Sequence, residues 1–163
     1  VWNQFDPSIR HCYALKQLEN LIQRGKNCAV GHEAPNFELI TSTGGKIALS
    51  SLRGKYVLID FWASWCGPCR REIPNIKKIY AKFKDKGLQV VGVSIDSSDK
   101  AWKKALEEEN MDYLQLYDPE GITSKLYNYN GIPFIILISP EGIILEKGLR
   151  GENIREKITE YLK

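Results

Sequence analysis

Two apolar runs in the middle of the chain predict buried strands. Residues 56–62 read Tyr-Val-Leu-Ile-Asp-Phe-Trp, and residues 88–95 are similarly rich in Val and Ile. Runs of this length and composition are typical of strands covered on both faces. Between them, residues 67–84 carry apolar side chains at helical spacing, namely Ile73, Ile76, Ile79, Tyr80 and Phe83. This part of the chain therefore predicts a strand–helix–strand unit.

Shorter segments on both sides complete the pattern. Residues 36–40 and 46–49 flank a glycine-containing turn, and residues 134–138 and 143–147 flank Pro140-Glu141-Gly142, so each pair predicts a β-hairpin. Helical spacing recurs over 99–109 and 152–162, with a short strand at 113–117 and one or two helical turns at 122–128. The order of these strands and helices along the chain predicts an α/β fold with a mixed sheet.

The first 29 residues have a different pattern. Asp6-Pro7 is typical of a helix start, and apolar residues then recur at helical spacing up to Ile22. We predict an amphipathic helix over residues 7–24 that Gly25 ends. Residues 1–29 are expected to be a helical extension, the tail of an upstream region, and residues 30–163 the main domain. Because the chain starts at Val1, we expect a processed form or a fragment, which would already have lost any signal peptide or anchor.

Composition narrows the function. The chain has 163 residues, 43% of them apolar and 26% charged, which suits one globular domain. Its 23 basic and 20 acidic residues leave a net charge of +3, too small to indicate nucleic acid or an anionic membrane as partner. No apolar run approaches the roughly 20 residues that cross a bilayer. We expect a monomer with neither a bound cofactor nor a metal.

The candidate chemistry lies in Trp65-Cys66-Gly67-Pro68-Cys69, where the first buried strand gives way to a helix. A helix N-terminus offers N–H groups and partial positive charge, which lower the pKa of a thiol there. Cys66 is therefore the predicted nucleophile, since only the thiolate attacks disulfides. Cys69 lies one turn into the helix and can resolve a mixed disulfide. Pro68 suits the first helical turn, where an N–H is not needed.

Other arrangements of the cysteines stay open from the sequence. A zinc site needs about four ligands, and the remaining candidates are His11, Cys12, Cys28 and His32, without a second CxxC motif. Cys12 and Cys28 are expected to be partly buried thiols, with a disulfide between them as the alternative in an oxidising compartment.

Residues 57–70 resemble the active-site segment of thioredoxins. The hairpin before them, the Ala34-Pro35-Asn36-Phe37-Glu38-Leu39 entry and the segment around residues 96–117 are similar to the TlpA/ResA branch of the AhpC/TSA–thioredoxin superfamily. The resemblance covers residues 30–163. It implies a three-layer α/β/α thioredoxin fold with an N-terminal β-hairpin and a central strand–helix insertion. It also implies an extracytoplasmic location, in the periplasm or attached to the bacterial envelope.

The resemblance assigns two acids to the catalytic site. Asp60 matches the buried acid beneath the CxxC, where burial should raise its pKa and let it exchange a proton with Cys69. Its alternative role is a structural carboxylate satisfied by a Lys or by backbone groups. Glu72 matches an acid of the TlpA/ResA branch that influences cysteine titration. Its alternative is an exposed acid that favours the helix dipole.

The resemblance also implies a substrate-binding ledge. Pro133 matches the cis-proline of the family, which would place the backbone of Ile132 beside Cys66 for pairing with an extended substrate. The alternative is a trans proline at the start of a strand. Trp65, Gly67 and Pro68 complete the predicted substrate contacts, with Trp65 shielding Cys66.

Three functions compete. The first is reduction of protein disulfides by the Cys66/Cys69 pair, re-reduced by a membrane-bound or soluble thiol reductant. Its Gly-Pro dipeptide is that of thioredoxin, whose potential is about −270 mV against about −120 mV for the oxidant DsbA. The second is a peroxidase of the peroxiredoxin type, which shares the residues 34–39 entry. The third is a docking module without catalysis.

Overall fold

A computed structural model describes residues 13–162 as one sheet with helices on both faces. Its strands are β1 (Glu38–Thr41), β2 (Lys46–Ala48), β3 (Tyr56–Trp62), β4 (Leu88–Ser94), β5 (Leu114–Tyr117), β6 (Phe134–Ile138) and β7 (Ile144–Lys147). Its helices are α1 (Tyr13–Asn27), α2 (Gly67–Phe83), α3 (Asp99–Glu109), α4 (Ile122–Tyr127) and α5 (Glu152–Tyr161). Short 3-10 turns follow β2 and α2.

The seven strands lie in the order β2-β1-β5-β4-β3-β6-β7. The three central strands β3, β4 and β5 are parallel, whereas β1, β2, β6 and β7 pair antiparallel with their neighbours. The mixed sheet and the α/β class are as predicted. The most apolar strands are central because helices cover both of their faces.

Alternate residues of β3 face two different cores. Val57, Ile59 and Phe61 pack on one face, together with residues of the β1–β2 hairpin and Tyr127 of α4. Leu58 packs on the other face against α2 and α5, and Trp62 packs there against α2 and α3. The strand period of two therefore places Asp60 on the face covered by α2.

Element boundaries differ from the predicted ones at several ends. The first strand is Glu38–Thr41 rather than 36–40, and the last is Ile144–Lys147, with Ile143 making an isolated bridge to Glu33. The prediction that Gly25 ends the first helix is wrong, because α1 continues to Asn27. The predicted start at Asp6-Pro7 lies outside the described residues.

The segment after α1 is anchored to the sheet. Gly31 donates its N–H to the Ile144 carbonyl at 2.8 Å, and Ile144 donates to the His32 carbonyl at 2.9 Å. Cys28 is buried, and its thiol donates to the Tyr127 carbonyl at 3.2 Å. Cys12 lies outside the described residues, so the alternative of a disulfide between Cys12 and Cys28 stays untested.

Candidate active site

The CxxC motif lies at the junction of β3 and α2, as the sequence predicts. Cys66 and Cys69 form a disulfide, and Cys66 is the N-cap residue of α2. The Cys66 sulfur accepts a hydrogen bond from the Cys69 N–H at 3.2 Å. Pro68 lies in the first turn, where its missing N–H leaves no acceptor unsatisfied. In the reduced protein, the same N–H group and the helix N-terminus would stabilise a thiolate on Cys66.

The two cysteines are shielded, whereas the residues around them are open. Cys66 is 5% exposed and Cys69 is fully buried, but Trp65 is 67% exposed and Gly67 and Pro68 are also exposed. Trp65 therefore offers a large aromatic surface beside the disulfide. Such a surface is suited to contact with another protein.

Asp60 is fully buried beneath this motif, on the α2 face of β3. Neither of its carboxylate oxygens has a hydrogen-bond partner among the described residues. Burial is the main cause that raises the pKa of Asp60 to about 7, since it disfavours the charged form. Glu72 raises this pKa further, and the positive charge of Arg150 opposes the rise. No Lys or backbone group in the described part of the chain bonds to the carboxylate. The alternative role, a structural carboxylate held by such a group, therefore has no partner here.

Glu72 is half-buried and joins α2 to the start of α5. Its Oε2 accepts from the Gly151 N–H at 3.2 Å, and its Oε1 accepts from the Asn75 side chain at 2.6 Å. The same Asn75 nitrogen donates to the Gly151 carbonyl at 3.0 Å. Glu72 is therefore held by defined partners, in contrast to the alternative of an exposed helix acid.

The Ile132–Pro133 peptide bond is cis, as the resemblance implies. Ile132 packs against the cluster that contains Cys66 and Cys69, so the predicted ledge and the disulfide are neighbours. Arg150 donates to the Pro133 carbonyl at 2.6 Å. This arginine, which the sequence analysis did not single out, thus contacts the proline loop and also influences Asp60.

A second missed residue holds the loop before Cys66. Asp96 is buried and accepts from the Ser64 N–H at 2.8 Å and from the Ser64 hydroxyl at 2.6 Å. It also accepts from the Ser94 hydroxyl at 2.7 Å. No local sequence signal reveals this contact, because Ser64 and Asp96 are separated by 32 residues.

The described residues contain no group of three or more His, Cys, Asp or Glu side chains placed to hold a metal ion. Two residues of the zinc alternative, His11 and Cys12, lie outside that part. None of the helices in the range 13–162 has the length and apolar character needed to cross a membrane.

Known proteins are similar to this chain in sequence and in fold. The model of the AhpC/TSA family matches residues 30–147. The thiol-disulfide oxidoreductase ResA of Bacillus thuringiensis subsp. konkukian is 34% identical over 134 residues, which cover 82% of this chain and 77% of the relative. The thioredoxin-like protein YneN of Bacillus subtilis is 36% identical over 117 residues, covering 70% and 68%.

Solved structures of thiol–disulfide oxidoreductases and interchange proteins are also similar to this chain. The thioredoxin domain of a thiol-disulfide oxidoreductase from Bacteroides vulgatus superposes with a TM-score of 0.79 at 38% identity, covering 83% of this chain and 99% of that one. A thiol:disulfide interchange protein from Bacteroides sp. gives a TM-score of 0.77 at 37% identity, covering 83% and 91%. The chain therefore belongs to the AhpC/TSA family, within which it is a thiol–disulfide oxidoreductase with a thioredoxin-like fold.

Proposed function

We propose that the chain reduces disulfides of protein substrates and that Cys66 is the attacking residue. The observation that carries this proposal is the Cys66–Cys69 pair at the N-terminus of α2, next to exposed Trp65 and above buried Asp60. The Cys66 thiolate attacks the substrate disulfide, and the first substrate thiolate leaves. A mixed disulfide then joins Cys66 to the substrate.

Resolution requires a proton acceptor. Cys69 is buried on α2, and Asp60 lies on the face of the sheet that α2 covers. A carboxyl whose pKa is about 7 suits proton transfer near neutral pH. Cys69 transfers its proton to Asp60 and attacks the Cys66 sulfur, which releases the second substrate thiolate. A thiol reductant, membrane-bound or soluble, then restores the dithiol.

The substrate is proposed to dock along the ledge at Ile132-Pro133 and on Trp65, Gly67 and Pro68. Its backbone would pair with Ile132 as an added strand. The proposed location is extracytoplasmic, in the periplasm or attached to the envelope.

Reduction of insulin disulfides tests the chemistry. We expect the wild-type protein to be active and Cys66→Ser to lose activity by more than about 100-fold, since the thiolate is the nucleophile. Cys69→Ser should instead accumulate a mixed disulfide with its client. Absence of insulin reduction in both wild type and Cys66→Ser would favour the docking module.

A redox titration against glutathione tests the direction. We expect a midpoint near that of thioredoxin, about −270 mV. A midpoint above about −150 mV would identify an oxidant instead.

The peroxidase alternative has its own test. A peroxidatic cysteine reacts as a single thiolate, whereas Cys66 here shares a disulfide with Cys69. We expect peroxide turnover to be slow in wild type and in Cys69→Ser. Rapid turnover that survives Cys69→Ser would support a peroxidase.

A further inference from the structure

Three residues form a row across the centre of the sheet. Asp60 on β3 lies opposite Gly92 on β4, which lies opposite Gln115 on β5. Leu114 and Leu116 pack on the face covered by α4, so the side chain of Gln115 points to the α2 face, as that of Asp60 does. Neighbouring strands are about 4.8 Å apart, which puts the two backbones roughly 10 Å apart.

The side-chain amide of Gln115 occupies the space above Gly92, which has no side chain of its own. A Cβ on this glycine would lie only 2.7 Å from Nε2 and 2.8 Å from Cδ of Gln115. The amide of Gln115 therefore extends over Gly92, from β5 towards the strand that carries Asp60. Any larger residue at position 92 would displace it.

The polar atoms along this row have few partners. Neither oxygen of Asp60 has a hydrogen-bond partner among the described residues. The Gln115 amide and the Tyr113 hydroxyl lie beside each other, close enough for Gln115 to lower the pKa of Tyr113, but no well-formed hydrogen bond joins them. The three side chains are 0%, 3% and 4% exposed. Buried polar groups in folded proteins are nearly always hydrogen-bonded, to protein or to ordered water. Asp60, Gln115 and Tyr113 thus leave hydrogen-bonding capacity unfilled on one face of the sheet, which indicates a site for buried water.

The row ends at a surface cleft of about 350 Å³ between α3 and β5. Gln115 and Tyr113 line this cleft together with exposed residues that include Lys103 and Glu107. None of the CxxC, Trp65 or Pro133 residues is part of its wall. A protein docked over the disulfide would leave the cleft uncovered.

We propose that Gln115 and Tyr113 hold a short file of water molecules that connects the Asp60 carboxyl to this cleft, and that Asp60 exchanges protons with solvent along it. The proposal rests on the proposed function. In the resolution step, the Cys69 proton passes to the Asp60 carboxylate, and the Cys66–Cys69 bond forms. The bond between Cys66 and substrate breaks, and its electron pair leaves with the substrate thiolate. The proton then passes from Asp60 through the file to solvent.

The charges that face the row come from several elements. Glu72 of α2 and Arg150 before α5 act on Asp60. Asp60 itself, Asp112 and Glu109 at the end of α3 act on Tyr113, whose pKa is raised mainly by burial. Replacing the uncharged Gln115 alters none of these charges. A change in Asp60 titration would therefore report the loss of polar contacts along the row.

Gln115→Met is the first test variant, because methionine is close in size to glutamine but cannot hold water. We expect the pKa of Asp60 in the reduced protein, measured by carboxyl NMR, to rise by at least about 0.5 pH unit, since the charged form loses solvation. Tyr113→Phe should shift it in the same direction. Gln89→Met is the control, because Gln89 is half-buried on β4 and bonds only to the Val90 carbonyl.

A second measurement detects the water itself. Cross-relaxation between solvent and the Gln115 side-chain NH2 should reveal long-lived water in wild type, and the mixed disulfide should resolve about two- to tenfold more slowly in Gln115→Met. An unshifted Asp60 midpoint in folded Gln115→Met and Tyr113→Phe, or the absence of long-lived water, would overturn the proposal. If wild type does not reduce insulin, the proposed function is wrong. If wild type reduces insulin normally but the Asp60 pKa is the same in the variants, only the proposal of the water file is wrong.

Discussion

At the scale of single residues, Asp60 is the described carboxyl group whose pKa departs furthest from its value in water. The raised pKa means that the folded protein binds a proton between about pH 4 and 7 that the unfolded chain, with an ordinary carboxyl, does not bind. Asp60 therefore stabilises the fold most at low pH, and this contribution is lost as pH rises through about 7. The shift corresponds to about 4 kcal/mol.

The first prediction concerns this pH dependence. In oxidised wild type, we expect the free energy of unfolding in guanidinium to fall by a few kcal/mol between pH 4.5 and 8. Asp60→Asn should lack most of that fall, since asparagine does not titrate. Parallel curves for both proteins would mean that Asp60 is ionised throughout.

The second prediction uses the two charges that act on Asp60. Glu72→Gln should lower the Asp60 pKa, because a negative neighbour is removed, and Arg150→Met should raise it, because a positive one is lost. Each shift should be below about one unit and visible in carboxyl NMR of the oxidised protein. Shifts of the same sign in both variants would contradict this electrostatic account.

At the scale of elements, the site depends on contacts between segments far apart in the chain. Asp96, which follows β4, holds Ser64 in the loop before Cys66. Glu72 of α2 holds Gly151, the N-cap residue of α5, and Arg150 holds the proline loop. The disulfide and the ledge are thus positioned by the same few polar contacts.

The third prediction tests the Asp96 contact. Asp96→Ala should lower the free energy of unfolding by about 2–4 kcal/mol, because buried N–H and hydroxyl groups lose a charged acceptor. It should also slow insulin reduction. Asp99→Ala is the control, since Asp99 is exposed and pairs only with Lys103, a contact worth less than about 1 kcal/mol. Equal losses in both variants would remove the special role of Asp96.

At the scale of the whole molecule, the question is where the domain begins. Helix α1 contacts α4, but Leu18 and Ile22 on it are 45% and 36% exposed. From Cys28 onward the chain is tied to β7, because Lys147 donates to the Cys28 carbonyl at 2.8 Å and Gly31 bonds to Ile144. The boundary near residue 29 stays a prediction, which the following truncation tests.

The fourth prediction is that residues 28–163 fold without the preceding segment. We expect an unchanged near-ultraviolet spectrum and unchanged insulin reduction, with a modest loss of stability, since none of the α1 side chains whose burial is described belongs to a core cluster. A chain starting at residue 38 is the comparison. It should be far less stable, because it lacks residues 28–37, which are hydrogen-bonded to the sheet. Loss of folding on removal of residues 1–27 alone would place α1 within the domain.

The sequence alone determined the elements and the reactive pair. Continuous apolar runs, helical spacing and a CxxC at a strand–helix junction are local signals, so they predicted the central strands, the helices and the position of Cys66 and Cys69. Asp60 was also visible, as a single acid within an apolar run. The helix end at Gly25 was wrong because glycine is only a weak stop when the following residues continue the helix.

Only the tertiary structure decided which polar groups meet around that pair. Ser64 with Asp96, Pro133 with Arg150, Asp60 with Gly92 and Gly92 with Gln115 are pairs of residues 17 to 32 positions apart. No local pattern encodes them, because they follow from strand order and register, which bring β3, β4 and β5 side by side. The reactive pair Cys66 and Cys69 is thus set by the sequence, and the polar groups placed around it are set by the fold.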